Sequence, residues 1–281
     1  MATQYRYPTG ARPLLIEETA RRRRIEARIT GVLEQRGFAE VVLPIIDFAE
    51  PYAGVIERAA VRQSYRFVDR EGELVAIRSD FTPMLARALA PSLTAEGLPL
   101  RVWYRGDVIR CEATRLGANR ELFQIGAEVV GDASVEADIE AMELAASFVT
   151  EPLVVYTDMS IVEAFDGDVR EALVTKRLRP GLPPLAEKMI AGTVTLDDLP
   201  AATAARLQRI GSALDPKRFV LHLDDVDATS GYYTGLRFRV YGRDSRTRLA
   251  EGGRYDTLYE RFGTRAAAVG FTFTIDDLEA N

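Results

Sequence analysis

The sequence predicts an α+β fold, an antiparallel sheet flanked by helices with a mostly helical insertion at about residues 160–214. Three observations lead there. The stretch RVWYRGDVIRCEATRLGANRELFQIGAEVVG, residues 101–131, divides into two strand-like runs around the turn-rich ATRLGAN. Helix-spaced apolar residues fill 14–36 and 133–150 on either side of it. Short strand-like runs then recur near the C-terminal end, beyond a segment punctuated by RPGLPP and DDLP.

Taken in order, Leu14 to Arg36 has Ile25, Ile29, Val32 and Leu33 at helical spacing and ends at Gly37. Its Arg21–Arg24 run is either a nucleic-acid contact or the wet face of an amphipathic helix. Glu17, Glu18 and Glu26 lie close enough to offset the charge, which favours the wet face. Ala39–Ile46 reads as a strongly apolar strand, and Pro44 within it suits an edge or an interface because proline cannot donate to a ladder. Tyr65–Val68 and Leu74–Arg78 flank a hairpin turn built on Gly72. The sequence Arg78–Pro83 leads into a helix with Pro83 in its first turn. Asp80 or Thr82 caps that helix, and Asp80 is also free to receive a ligand's ammonium.

After the central hairpin, Ala133–Thr150 predicts an amphipathic helix with a Ser/Asp-rich cap. Val154–Asp158 reads as a short strand, and 160–214 as helices forming a separate lobe or insertion. Arg218–Leu223, Gly235–Tyr241 and Arg248–Ala250 read as strands. Glu251–Asp256 predicts a glycine turn, followed by a helix from Thr257 to Arg261 and a last strand over Ala267–Ile275.

The 281 residues, 47% hydrophobic and 28% charged, describe a globular chain with ample core. No apolar run approaches a membrane span, and the N-terminal residues lack the apolar stretch of a secretory signal, so the expected location is the cytoplasm. A single cysteine, Cys111, excludes an internal disulfide, and with a single histidine, His222, it argues against zinc. A net charge of −6 gives no sign of a nucleic-acid binder. No dinucleotide or P-loop signature is present, and no cofactor is implied.

Strand alternation in the central hairpin puts Phe123, Ile125, Ala127 and Val129 on one apolar face. Leu122, Gln124, Gly126, Glu128 and Val130 share the other with Tyr104, Gly106, Val108, Arg110 and Glu112, and Gly106 and Gly126 leave open floor between the polar groups. Carboxylates for an ammonium and an arginine for a carboxylate make this a seat for a small zwitterion. The same residues also describe a solvated hairpin face whose charges serve only solubility.

With the pieces in order, the chain resembles the catalytic core of class II aminoacyl-tRNA synthetases, specifically the histidine enzymes, over nearly everything except 160–214. GFAEVVLPIIDFAE resembles the first class II motif, which implies a dimer interface at Pro44. The hairpin resembles the second, with its arginine at Arg110 and acidic partner at Glu112. IRSDFTP stands where the histidine enzymes carry R-P-E-G-T, and Tyr232-Tyr233 matches a tyrosine pair in their specific motif. Gly252–Asp256 and Ala268–Phe271 match the approach to the third motif. The resemblance implies that Asp80, Thr82, Arg110, Gln124, Glu128, Tyr232, Tyr233 and Tyr255 bind histidine, with acceptors and hydroxyls for both ring nitrogens.

Two departures decide the activity. Ala228 stands where the histidine-specific motif carries an essential arginine, and Asp277 where the third-motif arginine lies against the ATP phosphates. Unit charges 4 Å apart near a protein surface interact by roughly 4 kcal/mol, so a reversed sign costs about twice that per phosphate contact. That equals a whole micromolar affinity, about 8 kcal/mol. Losing a donor such as the one missing at Ala228 costs a further ~100- to 1000-fold in rate. Adenylate chemistry is therefore expected to be absent, and with no anticodon-binding domain in the sequence, so is tRNA binding. The pattern resembles the regulatory subunits of ATP phosphoribosyltransferase, synthetase paralogues without catalytic function. In that family the subunit forms a homodimer within a hetero-octamer, activates a short catalytic subunit in the first step of histidine biosynthesis and takes part in feedback inhibition by histidine. The alternatives are a trimmed histidine–tRNA ligase and a free-standing histidine-binding protein.

Overall fold

A computed structural model describes residues 7–53, 64–111, 119–163, 165–225, 232–242 and 247–279. Glu112 and Ala228, both singled out by the sequence, lie outside these residues. Helix α1 (Ile16–Gln35) opens the chain. Strand β1 (Ala39–Glu40) and strand β2 (Ile46–Phe48) follow, then the hairpin β3 (Arg66–Val68) and β4 (Leu74–Ile77) and helix α2 (Thr82–Leu89). The long strands β5 (Leu100–Ile109) and β6 (Glu121–Val130) lead to α3 (Val135–Ser147) and β7 (Pro152–Asp158). Four helices come next: α4 (Ser160–Glu163), α5 (Gly167–Val174), α6 (Pro184–Ala191) and α7 (Ala201–Ala213). Strands β8 (Phe219–Leu221), β9 (Leu236–Gly242), β10 (Arg248–Arg254) and β11 (Ala268–Thr274) and helix α8 (Ile275–Glu279) complete the described elements.

Eight strands form one sheet in the order β1-β5-β6-β11-β10-β9-β7-β8. Its six central strands pair antiparallel, while the short edge strands β1 and β8 join in parallel. The β5–β6 hairpin is in register from Leu100↔Val130 to Ile109↔Glu121. Ile125, Ala127 and Val129 enter a core with Ile29 and Leu33 of α1 and the apolar face of α3, as the alternation predicts. Gln124 and Glu128 therefore face the other way. Apolar side chains of α5, α6 and α7, among them Leu173, Met189 and Ile210, belong to that same core cluster. This helical segment is also the crossover between β7 and β8, whose parallel pairing (Val154↔Phe219) a tight turn cannot make.

Four expectations about these elements need correction. Ala39–Ile46 is not one strand: Ala39–Glu40 pairs with β5, and Ile46–Phe48 joins a separate three-stranded sheet in the order β2-β4-β3. The break falls at Pro44. There the buried Arg78 guanidinium donates to the carbonyls of Leu43 (3.0 Å) and Pro44 (3.1 Å), which removes them from any ladder. Nor is Glu251–Arg254 a turn; it continues β10 and pairs with both neighbours. Its glycines reflect close packing, since a Cβ on Gly252 would overlap the Gly270 carbonyl and one on Gly253 the Leu236 carbonyl. The helix predicted over 257–261 is a 3₁₀ turn at Tyr259–Phe262. Finally, the arginine run of α1 is only partly a wet face. Arg22 pairs with Asp276 of α8, and Glu26 is buried beside Arg23 at 2.5 Å.

Arg254 shows what the glycine-rich segment does structurally. Its buried guanidinium donates from Nε to Asp138 Oδ1 at 2.7 Å, and to the carbonyls of Asp132 (2.9 Å) and Ser134 (3.1 Å). Asp138 pairs with Arg206 as well, so one buried carboxylate ties the sheet, α3 and α7 together. Among the described residues, no helix is long and apolar enough to cross a membrane.

Candidate functional site

On the face of the sheet opposite α1 and α3, a narrow cavity is lined by Asp80, Thr82, Arg110, Gln124, Glu128, Tyr232, Tyr233 and Tyr255. Several elements deliver them. Gln124 and Glu128 rise from β6, Asp80 and Thr82 sit at the start of α2, Arg110 follows β5 and Tyr255 follows β10. All eight residues that the resemblance implied thus line one space, with Glu251, Gly252, Gly270, Phe271 and Thr272 beside them.

Glu128 forms the floor and is 1% exposed. Its Oε1 accepts from Thr82 Oγ1 at 3.1 Å and from the Tyr104 hydroxyl at 3.4 Å, while the Tyr255 hydroxyl donates to Oε2. Burial pushes its pKa up to about 8, against the opposing pull of those three hydroxyls. A Cβ at Gly270 would overlap this carboxylate, so the glycine makes room for it. Asp80 serves the start of α2, one of the readings the sequence offered, and has a second partner of the protein's own inside the cavity. One oxygen accepts from the Thr82 N–H at 3.1 Å, and the other accepts from the Tyr232 hydroxyl at 3.3 Å. Burial also raises Asp80, opposed by that N–H and by the positive charge of Arg110. Tyr232 packs against Tyr233 at 5.0 Å between ring centroids and edge-on against Tyr255 at 5.8 Å. Burial raises all three tyrosines, which keeps them as neutral hydroxyls able to donate or accept.

The open floor expected at Gly106 and Gly126 is not there. A Cβ on Gly126 would overlap the Tyr104 hydroxyl, and one on Gly106, whose φ is +146°, would meet Arg78 Nη2 at 2.8 Å. These glycines admit the protein's own side chains, and the glycines that line the cavity are Gly252 and Gly270, themselves crowded by neighbouring atoms. Tyr104, which alternation places on this face, is not among the residues that the resemblance implied, yet it reaches the site. Its ring stacks on Phe81 at 4.4 Å, and its hydroxyl shares a hydrogen bond of 2.6 Å with Thr272 as well as reaching Glu128. Its position opposite Gly126 on the polar face was the available signal.

A second, larger cavity adjoins the first and shares Arg110, Gln124, Glu251 and Thr272 with it. Asp277 lines this outer space from the first turn of α8, beside Asp276. Arg12 and Arg248 line it too, paired with Glu18 at 2.7 Å and with Glu251 at 2.6 Å. Chemically, the inner cavity offers three carboxyls, three phenols, an amide and one guanidinium, a set suited to a cationic or hydrogen-bonding ring on a zwitterionic backbone.

A family model described as histidyl-tRNA synthetase matches residues 10–179 and 186–278. The chain is 30% identical to the ATP phosphoribosyltransferase regulatory subunit of Geobacter sulfurreducens, over 95% of this chain and 71% of that protein. It is 31% identical to the one of Symbiobacterium thermophilum, over 98% and 79%. Among solved structures, it superposes with a TM-score of 0.84 at 23% identity on an ATP phosphoribosyltransferase regulatory subunit/histidyl-tRNA synthetase from Bacillus halodurans, covering 100% of this chain and 84% of that one. Apo histidyl-tRNA synthetase of S. aureus gives a TM-score of 0.71 at 19% identity, over 98% and 73%. Both structural likenesses establish the class II synthetase-like fold.

Proposed function

The chain belongs to the family of ATP phosphoribosyltransferase regulatory subunits, paralogues of histidyl-tRNA synthetase, and from that premise we propose that it is a non-catalytic regulatory subunit. It assembles with a short ATP phosphoribosyltransferase catalytic subunit in the first step of histidine biosynthesis, is required for that subunit's activity and contributes to feedback inhibition by histidine. One observation carries the histidine part: the convergence of Asp80, Thr82, Arg110, Gln124, Glu128 and the three tyrosines on a single cavity. Glu128 and the Tyr255 hydroxyl serve the imidazole, and Arg110 serves the carboxylate. Asp277, an anion lining the outer cavity, supports the absence of adenylate chemistry. Regulation follows if histidine binds the active and inhibited assemblies with different affinity, which is a coupling free energy between this pocket and the partner's active site.

Self-association fits the same picture. Ile46, Phe48 and Phe67 share one face of the three-stranded sheet and are 45%, 46% and 41% exposed, next to Pro44. Such an apolar face suits the homodimer interface that the first-motif resemblance implies. A second reading, a trimmed histidine–tRNA ligase, draws on Arg12, Arg110 and Arg248 in the outer cavity. Two measurements separate the readings. Co-purification with a short catalytic subunit, with activity that depends on this chain and falls with added histidine, supports the regulatory role. Histidine-dependent pyrophosphate exchange by the chain alone supports the ligase.

A further inference from the structure

The inner and outer cavities meet at Arg110, Gln124, Glu251 and Thr272, of which only Arg110 and Glu251 carry charge, of opposite sign. Glu251 is held firmly there. It lies within β10, paired to Arg239 of β9 on one side and Thr272 of β11 on the other. A register shift between Arg248 and Ala250 brings Arg248 round to the same cavity, where its Nη1 donates to Glu251 Oε2 at 2.6 Å. After burial, the charge of Glu251 is among the causes that hold Asp80, Tyr232 and Tyr233 above their ordinary pKa values, so it is felt inside the inner pocket.

A ligand whose ring is seated on Glu128, at the buried floor, carries its backbone end to this junction. A free amino acid brings an ammonium and a carboxylate there, and Arg110 and Glu251 are the matching pair of charges. We propose that Glu251 is a specificity-determining residue, whose carboxylate takes the ammonium of a free amino acid and repels a phosphate or other anion placed at the same junction. The proposal rests on the reading of the inner pocket as a histidine site. It adds a residue that neither the motif matches nor the alternation argument selected, because the sequence reads Glu251 as part of a turn.

Calorimetry on the full chain tests it with three probes: histidine, imidazole propionate, which lacks the ammonium, and the phosphate monoester of the corresponding amino alcohol, which keeps the ammonium and exchanges the carboxylate for a phosphate. In Glu251→Gln, histidine affinity falls about tenfold, the lower end for a charge-assisted hydrogen bond at a part-exposed site. Affinity for imidazole propionate stays within about twofold, and the phosphate monoester binds more tightly because Arg248 is released. Glu251→Asp keeps the charge and retains the preference for histidine over imidazole propionate. Unchanged histidine affinity in Glu251→Gln, or an equal loss for histidine and imidazole propionate, overturns the role of Glu251 and leaves the pocket intact. No histidine binding by the wild-type chain overturns the pocket reading itself.

Discussion

Replacing Glu128 by glutamine changes how stability depends on pH, and the direction follows from burial. The folded-state pKa stands near 8 against an ordinary 4.5, because the carboxyl is fully enclosed. The folded protein therefore holds this proton over a range in which the unfolded chain has released it. Stability from this group is fully present below about pH 4.5 and is lost as pH rises toward 8, at about 1.4 kcal/mol per pH unit. Over the whole window that amounts to several kcal/mol. Glutamine has the same shape and no charge to lose, so Glu128→Gln removes this slope. Asp80 and Asp138 are also raised by burial, so the wild-type curve alone mixes several groups. The difference between wild type and variant isolates Glu128. Urea unfolding at intervals from pH 5 to 9 measures it: the variant gains relative stability steadily up to about pH 8 and then levels off. A difference that stays constant from pH 5 to 9 would refute the assignment of a neutral, buried Glu128.

The remaining predictions concern binding, packing and assembly. Glu128→Ala abolishes the heat of histidine binding in calorimetry while the chain stays folded by circular dichroism. Gly270→Ala forces the Glu128 carboxylate aside, costs about 1–3 kcal/mol in urea unfolding and weakens histidine binding. Asp138→Asn leaves Arg254 and Arg206 without their shared anion and lowers stability by about 3–5 kcal/mol, read as a drop in Tm. Ile46→Glu puts a charge on the exposed face of the small sheet and shifts the chain to the monomer mass in analytical ultracentrifugation.

Much of the site was legible because strand alternation is a strict rule. Ile125, Ala127 and Val129 had to face one way and Gln124 and Glu128 the other, and the β5–β6 register keeps them so. Ser134, whose hydroxyl accepts from the Ala137 N–H at 3.2 Å, likewise caps α3 as a local sequence signal says it should. Several of the failures share one cause, which is that glycine and proline carry two meanings. Gly252 and Gly253 read as a turn when they are strand positions crowded by neighbouring backbone. Gly126 read as vacancy when it makes room for Tyr104. Pro44 read as an edge position within one strand when it lies between two strands, where Arg78, 34 residues on in sequence, takes its carbonyl. Contacts that distant leave no local pattern, and neither do the pairs Arg22–Asp276 and Arg254–Asp138.

The pairing of β7 with β8 bears on how this chain can vary. Because the two strands run side by side in the same direction, the helices from Ser160 to Ala213 are the return path from one end of the sheet to the other. Relatives can lengthen, shorten or resurface that path, yet excising it would unzip the outermost strand and strip the cover from the apolar side chains beneath. Chimaeras that exchange the segment between relatives should therefore fold, whereas simple deletions should not.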